Sequence, residues 1–302
     1  MNIQGPIFAI VTPFYDADLI DFMAFKEYLD FLYQSGVQTI IVNGTTGEFA
    51  SMTIGERKSV LEFCRSHFKG SLLAHISACS VKDCVSLLQH ASENDADGVI
   101  ILPPFYYSNA TYEGLLAFFQ SVIDKTSIPV FLYNFPKHTN ITLTPALLTA
   151  LCEMNGQIQG VKDSSGDLDT AIGFKSAKPN IQVFVGNDSL AISALDKGLD
   201  GSVTGGGNPV PECLLKIRDA FAAGRTDSAL KWQTILDDWR AYRKKLDILE
   251  ISVAKAGLAA RIPGFPVHVR PPLQSPSKEA VGSIAEHITT VVMSAITNAS
   301  AG

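Results

Sequence analysis

Gly98-Val99-Ile100-Ile101-Leu102-Pro103 and Pro129-Val130-Phe131-Leu132-Tyr133-Asn134 are apolar runs separated by a segment of helical periodicity. Within residues 111–125, Leu115, Phe118, Phe119, Val122 and Ile123 recur at helical spacing and make one apolar face suited to lie on a sheet. Neither flanking run alternates apolar with polar. Both read as strands buried on two faces, which is how parallel strands under helices read. Strand, helix and strand in this order form a βαβ unit.

The same alternation fills most of the chain. Apolar runs at residues 7–14, 38–43, 71–77, 98–103, 129–134, 158–162, 182–186 and 201–204 predict eight strands. Helix starts are signalled by Thr53 with Glu56, a capping-box pattern, by Thr144 before Pro145, and by Asn208 before Pro209. Eight βα units with right-handed crossovers close most economically into a TIM (β/α)8 barrel, which removes the sheet edges; an open doubly wound sheet is the alternative. After about Gly224 the alternation stops. Residues 226–246, 249–260 and 278–297 read as helices, with a Pro/Gly-rich connector at 262–276. The expected organisation is α/β, with a barrel over residues 1–224 and a C-terminal helical extension over 225–302.

The 302 residues are 46% hydrophobic and 18% charged, enough for a sizeable core. A net charge of -6 and the lack of a Lys/Arg-rich run argue against nucleic acid or an anionic membrane as partner. The start, Met1-Asn2-Ile3-Gln4-Gly5-Pro6, has no basic segment leading into an apolar one, and no uninterrupted apolar run approaches a membrane span. A soluble cytoplasmic protein is expected. Cys64, Cys79, Cys84, Cys152 and Cys213 are odd in number and mostly set in apolar stretches, so they read as reduced. Neither they nor the six histidines have metal-ligand spacing, and no metal is expected.

A barrel places its active site at the C-terminal ends of its strands. Lys162 sits at such an end, where an apolar run meets the polar turn Asp163-Ser164-Ser165-Gly166-Asp167. Burying an unpaired ammonium is costly and favours the neutral amine, which can attack a ketone to form a Schiff base. A salt bridge to adjacent Asp163 is the plain alternative. Gly44-Thr45-Thr46-Gly47-Glu48 offers two hydroxyls and closely spaced backbone N–H groups suited to a carboxylate, or else forms an ordinary βα turn. Tyr133 could be a core tyrosine, but beside an amine nucleophile its hydroxyl can shuttle protons. Asp188 and Asn208 each precede a predicted helix and suit caps. Gly205-Gly206-Gly207 could admit substrate or touch a phosphate, although no basic cluster supports the phosphate. His138 follows the Tyr133 turn closely enough to reach the mouth.

With Gly44-Thr45-Thr46-Gly47-Glu48, Tyr133-Asn134-Phe135-Pro136 and Gly160-Val161-Lys162-Asp163 in this order and on these strands, the chain resembles the dihydrodipicolinate synthase/N-acetylneuraminate lyase family. The resemblance implies a barrel with a helical extension, a lysine Schiff base with pyruvate or another 2-oxo acid, and no metal or organic cofactor. It also implies a homotetramer built as a dimer of dimers. By this resemblance Lys162 is the Schiff-base residue, Tyr133 the proton-transfer residue, and Thr45 and Thr46 the carboxylate clamp. Tyr106 is taken as the relay tyrosine reaching a neighbouring subunit, with Tyr107 the other choice. Gly47, Tyr107, Ser164, Gly186, Asp188 and Gly205 complete the expected substrate contacts.

Two departures bear on the substrate. The dihydrodipicolinate synthases carry an arginine shortly after the Tyr-Asn-x-Pro turn, where this chain has Lys137-His138-Thr139-Asn140; neither side chain reproduces a bidentate guanidinium. The sialic acid lyases carry an acidic pair after the seventh strand, where Asp188 is followed by Ser189. The Lys162–Asp167 run and the Tyr133 turn look more like aldolases of 2-keto-3-deoxy sugar acids. The expected activity joins or cleaves the bond between pyruvate and an aldehyde. The alternatives are a 4-hydroxy-tetrahydrodipicolinate synthase, a Schiff-base sugar-acid dehydratase and a non-enzymatic 2-oxo acid sensor.

Overall fold

The computed structural model describes residues 3–16 and 18–301. Eight parallel strands, β1 (Ile7–Ala9), β2 (Thr39–Val42), β3 (Ser71–His75), β4 (Gly98–Ile101), β5 (Val130–Asn134), β6 (Ile158–Asp163), β7 (Gln182–Val185) and β8 (Gly201–Thr204), pair in sequence order. β8 returns to pair with β1, so the sheet closes and the open doubly wound alternative is excluded. The helices are α1 (Phe22–Gln34), α2 (Ile54–His67), α3 (Val81–Glu93), α4 (Tyr112–Ile123), α5 (Pro136–Thr139), α6 (Pro145–Met154), α7 (Leu168–Ala177), α8 (Ala191–Asp196), α9 (Pro211–Ala222), α10 (Thr226–Lys245), α11 (Glu250–Ala259), α12 (Lys278–Glu286) and α13 (Met293–Ala301).

Strand periodicity divides the core in two. Ile7, Ala9, Ile41, Leu73, Ile100, Phe131, Tyr133, Phe184 and Val203 fill the barrel interior. Their strand neighbours, among them Phe8, Ile40, Leu72, Val99, Leu132, Val161 and Val183, face the helices. α4 buries Leu115, Phe119, Val122 and Ile123 as its spacing predicts, each fully buried side chain contributing about 1.5–3 kcal/mol. Thr53 and Glu56 form a capping box on α2, and Thr144 caps α6 ahead of Pro145.

Two local expectations are corrected. The apolar run at residues 7–14 leaves the ladder after Ala9: Ile10–Phe14 cross the barrel mouth, where Thr12 Oγ1 donates to Gly47 O at 2.8 Å. Asn208 does not cap a helix. α9 begins at Pro211 with Val210 as its cap, and the buried Asn208 side chain donates to Ala9 O (2.8 Å) and Gly205 O (2.6 Å) while accepting from Tyr28 Oη (2.5 Å). That amide ties β8 to β1 at the mouth.

Residues 278–301 form one continuous helical stretch, α12 and α13 joined by a π-helical segment at His287–Val292. Its Lys278–Ser300 portion is long and apolar enough to cross a membrane by length and composition, which the sequence reading did not anticipate. Here Ile284, Ile288, Val292 and Ile296, one face at i+4 spacing, are buried in the large core cluster.

Candidate active site

The C-terminal ends of β2, β3, β5, β6, β7 and β8 surround Lys162. Its placement depends on an irregularity in the ladder between β5 and β6. Val130 pairs with Ile158 but Phe131 pairs with Gly160, so Gln159 is an extra residue and every later pair is shifted by one. Tyr133 therefore stands opposite Lys162 instead of Val161, and both point into the barrel. Gly160 makes the packing possible, since a Cβ there would meet the Phe131 ring and Gln182 O at 2.6 Å.

Lys162 is buried, with 8% exposure, and makes no hydrogen bond or ion pair with any described residue. Its Nζ lies 4.0 Å from the centroid of the Tyr133 ring. The salt bridge to Asp163 is absent among the described residues. Asp163 lies on the opposite face of the strand, where it accepts from Asn134 Nδ2 and Ser165 Oγ, both at 2.6 Å. Burial raises the Asp163 pKa, against the pull of those hydrogen bonds. Asn134, in turn, accepts from Leu143 N–H through Oδ1. The motif residues flanking Tyr133 and Lys162 thus lock the two strand ends together.

Tyr133 is held by a stacked Phe135 ring at 5.5 Å and by an edge contact with His75 at 6.2 Å. His75, at the end of β3, was not singled out by the sequence reading. It is fully buried, with Nε2 3.0 Å from Ser77 Oγ. Burial, with the charges of Arg57 and Lys162, pushes its pKa well below the ordinary value, so the imidazole is neutral. A histidine within an apolar, inward-facing strand position was the available signal.

Two glycine contacts tie the turn after β2 to the end of β8 and the turn after β6 to the end of β7. Thr45 and Thr46 are half-buried in the turn after β2. A Cβ at Gly205 would lie 2.5 Å from Thr46 Oγ1, and one at Gly186 would strike the Ser164 side chain. Gly47 is less tightly packed, its Cβ position 3.1 Å from Ile10 O. Thr46 thus packs against Gly205, and Ser164 against Gly186. Tyr106 and Tyr107 stand apart on the loop after β4, 77% and 69% exposed, their rings in edge contact at 5.4 Å. His138 packs edge-on against Phe135 at 4.3 Å.

Asp188 is not a helix cap. Asn187 caps the short turn that follows β7, accepting from Ser189 N–H, and Asp188 is buried within that turn. Its Oδ2 lies 3.4 Å from Arg243 Nη2 of α10. Burial raises its pKa, while the Arg243 charge and a hydrogen bond from Thr204 oppose the rise. Sequence reading also found no basic cluster beside Gly205-Gly206-Gly207, but α10 supplies one, with Arg240, Arg243 and Lys244 lining a cavity of about 360 Å³ together with Gly186, Asp188 and Gly205. Among the described residues no group of three or more His, Cys, Asp or Glu could hold a metal ion.

The architecture is a closed TIM (β/α)8 barrel with a lysine and a tyrosine facing each other inside its mouth. A model of the dihydrodipicolinate synthetase family matches residues 2–291. The chain is 33% identical over 230 residues to the 4-hydroxy-tetrahydrodipicolinate synthase of Endomicrobium trichonymphae, a match covering 76% of this chain and 78% of that one. It is 26% identical over 294 residues to the N-acetylneuraminate lyase of Rhizobium meliloti, covering 97% and 96%. The crystal structure of YagE in complex with pyruvate, a prophage protein of the dihydrodipicolinic acid synthase family from E. coli K12, aligns with a TM-score of 0.88 at 26% identity, over 94% of this chain and 97% of that chain. The chain belongs to the dihydrodipicolinate synthetase family, and it is a lyase of that family's pyruvate-dependent class.

Proposed function

We propose that the protein is a class I aldolase acting on a 2-keto-3-deoxy sugar acid, with Lys162 as the Schiff-base residue. The observation that carries this reading is a buried lysine without an ion-pair partner, 4.0 Å from the ring of an inward-facing tyrosine. The Lys162 side chain adds through Nζ to the keto carbon of pyruvate, and loss of water leaves an iminium. Thr45 and Thr46 hold the carboxylate. Loss of a C3 proton gives an enamine, which attacks the aldehyde carbon while Tyr133 gives a proton to the aldehyde oxygen; cleavage runs the same steps in reverse. Water then releases the 2-oxo acid from Lys162.

The sugar-acid assignment rests on the turn after β5. Lys137 and His138 are exposed there, and no arginine replaces them as a bidentate carboxylate partner. Aspartate semialdehyde would lack that clamp, whereas Ser164 and nearby backbone groups can exchange hydrogen bonds with sugar hydroxyls. Exposed Tyr106 and Tyr107 support a homotetramer in which one tyrosine, Tyr106 in our assignment, completes a neighbour's site.

The test is incubation with pyruvate and borohydride followed by peptide mass spectrometry. A reduced pyruvate adduct on Lys162, absent in Lys162→Ala, is expected. Labelling at another residue would reject the assignment. With pyruvate as donor, kcat/KM should be higher for glyceraldehyde than for aspartate semialdehyde; the opposite order would favour the synthase reading.

A further inference from the structure

The His75 ring touches three parts of the mouth. Phe49, which follows the Gly44–Glu48 turn, meets it at 4.5 Å and 62°, and Tyr133 meets it at 6.2 Å and 80°. The backbone of Asn43, which precedes the turn and has a left-handed φ of 58°, interacts with the same ring. One buried side chain thus joins both ends of the candidate clamp turn to the candidate proton-transfer residue.

Hydrogen bonds fix how that ring sits. Ser77 Oγ accepts from Leu102 N–H at 2.7 Å, which leaves its own hydroxyl hydrogen to donate to His75 Nε2, 3.0 Å away. A neutral imidazole that accepts at Nε2 carries its hydrogen on Nδ1. Arg57 holds the backbone on either side, with Nη2 donating to His75 O at 2.6 Å and Nη1 to Ser77 O at 2.8 Å. Asn43 Nδ2 donates to Arg57 O at 2.7 Å, so the residue before the turn belongs to the same network. An apolar side chain at this inward position would avoid the cost of burying an imidazole. What the polar ring gains is a fixed orientation against Tyr133.

We propose that His75 is a positioning residue for the aldol step: held by Ser77, its ring sets the tilt of Tyr133 relative to the turn that takes the substrate carboxylate. The inference rests on the aldolase reading above, in which Tyr133 must meet an aldehyde oxygen whose place that turn helps to define. Phe135 stacks on the Tyr133 ring and His75 stands nearly perpendicular to it, so the ring can tilt only by giving up one of these contacts. Tilting moves the hydroxyl, at the far end of the ring, most of all. A shift of about 1 Å at such a group costs on the order of 100-fold in rate.

The experiment measures, for His75→Leu, His75→Phe and Ser77→Ala, the steady-state kcat with pyruvate and glyceraldehyde and the fraction of Lys162 trapped by pyruvate and borohydride. Leucine fills the space without a ring or a hydrogen bond, phenylalanine keeps a ring without the acceptor, and Ser77→Ala frees the native ring. In His75→Leu, kcat per trapped site should fall roughly 10–100-fold, while the pyruvate concentration that half-saturates trapping stays at its native value. His75→Phe should recover part of the loss, and Ser77→Ala should show a smaller fall of the same kind. A purely structural role would lower the melting temperature and the trapped fraction but leave kcat per trapped site unchanged, and that result overturns the proposal. So does trapping that weakens in step with kcat, or a phenylalanine variant no better than leucine. If His75→Leu does not fold, an unchanged kcat per trapped site in Ser77→Ala is sufficient to reject it. A native protein that traps pyruvate on Lys162 but is indifferent to these substitutions loses only this inference, whereas one that does not trap loses the aldolase reading beneath it.

Discussion

Lys255 Nζ lies 2.5 Å from Glu48 Oε1, and neither side chain is exposed to solvent. The pair joins α11 to the residue that ends the Gly44–Glu48 turn. Glu48 has a left-handed backbone, with φ 61°, and its N–H donates to Thr45 O at 3.1 Å, so its position sets the shape of the turn. Its other oxygen accepts from Arg270 N–H, Lys255 donates to His268 O, and Lys255 and Arg270 each lie 4.4 Å from the Phe14 ring centroid. Burial pushes the Lys255 pKa down to about 8, against the attraction of Glu48. The connector after α11 therefore supports the candidate clamp from behind.

Removing one member of such a pair leaves a buried, uncompensated charge. Lys255→Met is expected to destabilise the protein by about 3–5 kcal/mol and to raise KM for pyruvate. Adding Glu48→Gln should recover part of the stability by removing the stranded carboxylate. Denaturant melts of both variants, with initial rates, check this. A single variant within about 1 kcal/mol of native would contradict it.

Gly160 and Gly282 should respond oppositely to alanine. A Cβ at Gly160 would lie 2.6 Å from Gln182 O and against the Phe131 ring, inside a closed ladder with little room to shift. Overpacking of about 1–3 kcal/mol or more is expected. Gly282 is exposed on α12 with nothing within 4 Å of its Cβ position, so Gly282→Ala should stabilise by roughly 0.5–1 kcal/mol. Urea denaturation of the two variants reads both signs.

Glu56 links α2 to the same connector. The Arg270 guanidinium holds its carboxyl at about 2, and the backbone and hydroxyl of Thr53 pull in the same direction. Because the folded value lies below the unfolded one, the contribution is complete above about pH 4.5 and is lost as pH falls toward 2. Glu56→Gln should keep the capping interaction but lessen the fall in melting temperature between pH 5 and pH 3. Thermal melts across that interval test it; equal slopes for both proteins would refute it.

The repeat was legible because each strand is apolar on both faces, so eight runs stand out from the helices between them. Lys162 was legible because its polar turn interrupts one of those runs. Boundaries failed where burial outlasts the ladder, as at Ile10–Phe14, which stay buried while crossing the mouth. Asn208 mimicked a cap because its amide has the right chemistry but serves Ala9, Gly205 and Tyr28 instead. The extra residue at Gln159 leaves no mark in a run without strict alternation, yet it decides which side chain Tyr133 faces. The basic cluster at Gly205 was hidden for a different reason: Arg240, Arg243 and Lys244 belong to a helix that local reading assigns to another part of the chain.

Tyr133→Phe is the substitution that separates proton transfer from packing. Tyr133 has only 2% of its surface exposed, and its ring contacts Phe135, His75 and Lys162 Nζ, none of which involves the hydroxyl. Phenylalanine should therefore preserve the fold and the position of Lys162. If the hydroxyl carries the proton to the aldehyde oxygen, kcat should fall on the order of 10²–10⁴-fold. Pyruvate with borohydride should still label Lys162 in this variant, because the site that holds the amine and the 2-oxo acid remains. Near-native turnover would make Tyr133 a core residue and require another group to move the proton. Loss of labelling along with turnover would instead place Tyr133 in Schiff-base formation itself, so single-turnover trapping and steady-state kcat must be measured on the same preparation.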